Sequence, residues 1–80
     1  MADNTWTLKQ GQYLAFISLY MKLHRVAPAE ADMQIYFRVS PPSVHQMVVT
    51  LEAKGFIERI PGKGRSIRLL IPPEYLPPLE

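Results

Sequence analysis

Eighty residues with 48% apolar content allow one small folded domain and argue against a disordered chain. The absence of cysteine excludes a disulfide framework and a thiolate metal site, and His24 and His45 lie too far apart for a zinc motif. The formal charge of +2 hides a division: residues 1–37 balance, residues 38–68 carry six cations against Glu52 and Glu58, and the tail carries Glu74 and Glu80.

The predicted elements begin with a helix. Thr7 followed by Gln10 reads as a capping box, and Leu14, Ile17 and Met21 recur at helical spacing to about His24 or Arg25. Trp6 is placed to staple its start. Pro28 opens a second helix from about Ala29, with Glu30 and Asp32 near its positive end and Met33, Tyr36 and Phe37 on its apolar side. That helix lacks a Ser, Thr, Asp or Asn cap. The third start is clearest: Ser40 is a good N-cap and Pro41 fits N1. Val44, Met47, Val48 and Leu51 then share one face, and Pro42, His45, Gln46 and Val49 the opposite one, with Ser43 and Thr50 at its margin. Lys54 and Gly55 end the helix.

The period then changes. Residues 56–60 read as a strand, Pro61-Gly62-Lys63-Gly64 as a turn, and residues 66–71 as a returning strand in which Ile67, Leu69 and Ile71 alternate with Arg68. Pro72-Pro73 and Pro77-Pro78 predict an extended tail over 72–80 without regular structure. Three helices followed by a β-hairpin make an α+β winged helix-turn-helix domain over residues 1–71.

In that architecture the third helix, about 41–54, enters the major groove of double-stranded DNA. The base-facing residues are then Pro42, Ser43, His45, Gln46 and Val49. Gln46 suits adenine through N6 and N7, and Val49 suits a thymine methyl. The basic wing, 61–68, carries Lys63 and Arg65 at its tip, free to reach across a phosphate ridge or into a minor groove, while Arg38, Lys54, Arg59 and Arg68 are candidate backbone contacts. Four phosphate contacts would give a log–log salt slope of about −3.6.

Several stretches resemble the N-terminal DNA-binding domain of LexA-type bacterial repressors. They are Thr7 to Gln10, Val39 to His45, Leu51 to Ile57, and Gly62 to Leu69. The resemblance covers about residues 7–71 and implies operator binding through Ser40, Pro42, Ser43, His45 and Gln46, with wing contacts. Arg25-Val26-Ala27-Pro28-Ala29 departs from the family's Gly-x-Pro-Pro-Thr, and Arg38 replaces a turn glycine, which predicts a strained backbone there. His45 and Gln46 stand where some members are acidic, so the operator does not carry over. Such repressors continue into a dimerising, self-cleaving domain with a Ser-Lys pair, which this length does not accommodate.

Helix one has a broad apolar arc, and Phe16, Leu19 and Leu23 form a candidate self-association surface for a homodimer. A winged helix used for protein contacts, with Pro72 to Pro78 as its docking segment, is the alternative reading. An enzyme is not expected. Ser43 and His45 diverge on their helix, no carboxylate is paired with the histidine, and Gly62 and Gly64 belong to a hairpin. No cofactor or small-molecule ligand is implied. The apolar stretch from Tyr13 to Leu23 is too short to span a bilayer and no leader precedes it, which predicts a cytoplasmic, nucleoid-associated protein.

Overall fold

The computed structural model describes residues 5–80, and its first helix, α1 (Leu8–His24), starts where the capping box places it. The Thr7 hydroxyl accepts the Gln10 N–H at 3.1 Å, and the Gln10 side chain accepts the Thr7 N–H at 3.0 Å. Helix α2 (Glu30–Phe37) has Ala29 at its N-cap, so no cap side chain is available. Asp32 reaches back instead, and its Oδ2 accepts the Ala29 N–H at 2.8 Å. Helix α3 (Pro41–Ala53) is capped by Ser40. At its end the Phe56 N–H bonds to the Leu51 carbonyl and the Gly55 N–H to the Glu52 carbonyl, with Gly55 at φ 79°. This is a Schellman stop, and the buried Phe56 and Leu51 supply the apolar contact that accompanies it.

The turn between α2 and α3 needs a left-handed residue, and Arg38 adopts it at φ 56°. The strain expected there is present. The equivalent position after α1 is Arg25, at φ 62°.

Two short strands follow, β1 (Ile57–Glu58) and β2 (Arg68–Leu69), paired antiparallel with Ile57 opposite Leu69 and Glu58 opposite Arg68. The order α1-α2-α3-β1-β2 is a winged helix-turn-helix. The ladder is shorter than the alternation suggested. Ser66 Oγ takes the Ile60 N–H at 3.0 Å, and Arg65 turns left-handed at φ 54°, so the hairpin end closes through a side chain.

The core lies where the helices and the hairpin base meet. Tyr13, Leu14 and Ile17 of α1 pack with Met33, with Val44, Val48 and Leu51 of α3, and with Phe56, Ile57, Ile67 and Ile71. Burying the inner face of α3 leaves its opposite face outward, which is what orients the candidate site. Trp6 packs edge-on against Phe56, with ring centroids 5.7 Å apart.

Residues 72–80 correct the expectation of a tail without regular structure. Pro73–Tyr75 form a 3-10 turn, and Leu76 and Leu79 pack against the core. Gln12 of α1 donates through Nε2 to the Pro78 carbonyl at 3.0 Å and accepts the Glu80 N–H at 2.8 Å. The Tyr36 hydroxyl donates to the Glu80 carbonyl at 2.7 Å. Proline's fixed φ suits the start of a tight helical turn as well as an extended chain. The interleaved leucines then decide the outcome by finding an apolar surface.

Candidate nucleic-acid interface

Pro42, Ser43, His45, Gln46 and Val49 are all exposed along one side of α3, together with Ser40 at its cap. Each is held differently. Ser40 and Ser43 hydroxyls lie 2.9 Å apart, so Ser40 is largely committed to the cap. The Thr50 hydroxyl donates to the Gln46 main-chain carbonyl at 2.9 Å, one turn back along α3. The Gln46 amide to Thr50 contact is long, at 3.5 Å, and leaves that amide free to turn outward. His45 Nδ1 sits 3.2 Å from Glu30 Oε2, tying α3 to the start of α2 and leaving Nε2 outward. Gln10, Pro42, Ser43, Gln46, Met47 and Thr50 line a shallow groove beside this face. Thr50 was readable only as marginal from its spacing, one turn beyond Gln46. Gln10 was readable only as a cap partner.

The cations divide into two groups. Arg59 Nε pairs with Glu52 at 3.1 Å, and Arg68 pairs with Glu58 directly across the ladder at 2.7 Å. Arg65 corrects the expectation of a tip residue free to reach outward. Its Nη1 lies 3.0 Å from the Tyr20 hydroxyl, 3.2 Å from the Ala27 carbonyl and 3.1 Å from Asp32 Oδ2, and its guanidinium sits over the Tyr20 ring. The Tyr20 hydrogen bond, with Asp32 adding to it, pushes the Arg65 guanidinium further towards its charged form. Arg38, Lys54 and Lys63 have no ion pair among the described residues and are exposed. They come from the helix-turn-helix turn, the end of α3 and the wing turn.

Of the six cations within residues 38–68, three are thus left without an ion pair among the described residues, one at each end of α3 and one in the wing turn. Comparison with known proteins accords with this arrangement: the profile of the LexA DNA binding domain matches residues 3–66. The chain belongs to the LexA DNA-binding-domain family. Similar relatives include the LexA repressor of Thermosipho africanus (strain TCF52B), 37% identical over 68 residues, which are 85% of this chain and 34% of that protein. The LexA repressor of Bartonella quintana (strain Toulouse) is 35% identical over 71 residues, 88% of this chain and 30% of that protein. The chain thus spans about a third of the length of these LexA relatives.

Of the candidate self-association residues, Phe16 is a core residue, packed at tilted and edge-on angles among Tyr20, Tyr36 and Phe37. The α1 arc is broad because α2 and the tail also cover it, which explains the burial of Phe16. Leu19 and Leu23 remain exposed and line a groove with Ile35 and Tyr36. Among the described residues, no helix is long and apolar enough to cross a membrane.

Proposed function

We propose that this chain is a sequence-specific, double-stranded-DNA-binding transcriptional regulator that reads the major groove with α3. The observation that carries the reading is the outer face of α3, polar and exposed, with the unpaired cations Arg38 and Lys54 at the ends of α3 and Lys63 in the wing turn. Ser43, Gln46 and the free Nε2 of His45 would meet base edges there, with Val49 offering a methyl-sized apolar contact. Pro42 shapes the entry of the helix. Lys63 on the wing would take a phosphate on the flanking backbone, with Arg38 and Lys54 doing so at the two ends of the α3 face.

With Arg59, Arg65 and Arg68 internally paired, about three cations remain to displace counterions. The expected log–log salt slope is then about −2.7. A salt titration on random duplex DNA, comparing Lys63→Ala with Gln46→Ala, tests the proposal. Lys63→Ala should weaken all sequences and flatten the slope by about 0.9. Gln46→Ala should leave the slope alone and relax preference on a selected site. If neither change alters binding, the reading fails. The alternative, a protein-docking module, depended on a free proline-rich tail, and that tail is held within the molecule by Gln12 and Tyr36.

A further inference from the structure

We propose that Arg65 is a positioning residue, a clamp that fixes the wing against α1 and α2 so that Lys63 is presented at one place. The contacts converge from both helices and from the loop between them: the Tyr20 hydroxyl, the Ala27 carbonyl and Asp32 Oδ2 all surround Nη1. The same Asp32 oxygen caps α2 through the Ala29 N–H. One carboxylate therefore joins the start of the helix-turn-helix unit to the wing, at the place where Ala29 provides no cap of its own.

The backbone at Arg65 is left-handed, which a side chain other than glycine tolerates only at some cost. With this backbone the guanidinium lies inward, against Tyr20, Ala27 and Asp32. Ser66 makes the wing stiff from within: its hydroxyl accepts the Ile60 N–H and lies 2.8 Å from the Lys63 carbonyl. An internally closed turn fixed to the helices at one point is a rigid arm. A Lys63 carried on such an arm meets a phosphate with its ordering cost already met.

The functional part of this inference rests on the DNA-binding reading; the attachment itself does not. Two sets of measurements separate them. Amide hydrogen exchange, without DNA, reads wing attachment at Ile60, Lys63 and Leu70, whose N–H groups bond within the hairpin. Salt-titrated binding to a random DNA duplex reads its consequence. The variants are Tyr20→Phe, Asp32→Asn and Arg65→Ala, with far-UV circular dichroism to confirm the fold. Asp32→Asn keeps an oxygen for the Ala29 N–H and removes a negative charge, which on electrostatics alone would tighten DNA binding.

The clamp requires the opposite. All three variants should speed wing exchange and weaken affinity by about threefold to tenfold, with the salt slope unchanged. Arg65→Ala combined with Asp32→Asn should be no weaker than Arg65→Ala alone. Unchanged wing exchange in Tyr20→Phe and Asp32→Asn overturns the clamp. So does an Arg65→Ala slope flatter by about 0.9, which would make Arg65 a phosphate ligand. Faster wing exchange in the three variants, alongside a wild-type protein that shows no salt-dependent duplex binding, would sustain the clamp and sink the DNA reading instead.

Discussion

Gly11→Ala isolates the docking of the tail. Gly11 lies inside α1, where alanine is favoured over glycine by about 1 kcal/mol. A Cβ at this position would stand 2.9 Å from Trp6 Cδ1, 3.0 Å from Trp6 Nε1 and 3.1 Å from Pro77 Cγ. The indole and the pyrrolidine ring are both stiff, so one must be displaced. Overpacking of this kind costs about 1–3 kcal/mol, which outweighs the gain in propensity. The expected net effect is a loss of about 1 kcal/mol, read as a fall in Tm of about 4–8 °C for a domain of this size. Urea unfolding followed by far-UV circular dichroism measures it. In a Trp6→Ala/Pro77→Ala background the obstacle is gone, and the same substitution should become stabilising by about 1 kcal/mol. A stabilised Gly11→Ala in the otherwise unaltered chain would show that the rings yield freely, and the account of tail docking would be wrong.

Arg38→Gly should raise stability by up to about 1 kcal/mol by relieving the left-handed backbone, part of the gain being offset by glycine's greater freedom when unfolded. It should also flatten the salt slope for duplex binding by about 0.9, so stability and affinity move in opposite directions. A destabilised Arg38→Gly with an unchanged slope would contradict both assignments. Tyr13 gives a pH dependence: burial penalises its phenolate and raises its pKa from the ordinary 10.0. Its contribution to stability is therefore complete below about pH 10, the unfolded value, and is lost as pH rises through the higher folded value. Urea titrations across that alkaline range should show a decline that is shallower in Tyr13→Phe. An equal decline in both proteins would mean that Tyr13 does not control it.

The helix starts and the principal stop were legible in the sequence because each is enforced by atoms close together along the chain. Thr7 with Gln10, Ser40 with Pro41, and Gly55 each satisfy backbone groups within one turn. The outward face of α3 followed from spacing alone, since Val44, Val48 and Leu51 leave only one side for the core. The cations were harder. Counting charge treats Arg65 like Lys63, yet Tyr20 lies 45 residues away and its hydroxyl exists as a partner only once the wing has folded back. Glu52 and Glu58 were visible as charges but not as partners of Arg59 and Arg68, so the wing looked more available to a polyanion than it is. Phe16 looked like surplus apolar surface for a related reason. The tail that covers its helix was read from its prolines, while Leu76 and Leu79 determine where it goes.

The Gln12 bonds to Pro78 and Glu80 span 66 and 68 residues, so they close almost the whole chain into one ring. Loop closure over such a span costs only slightly more than over half of it, because the penalty grows with the logarithm of length. The order of events is the stronger constraint. The ring can close only after α1 exists to offer Gln12, and after the hairpin has brought residue 72 back to the core. The docked tail therefore needs both α1 and the hairpin in place. A protease encountering the folded protein should find its first cut among residues 72–80, leaving the helix-turn-helix and wing still assembled behind it.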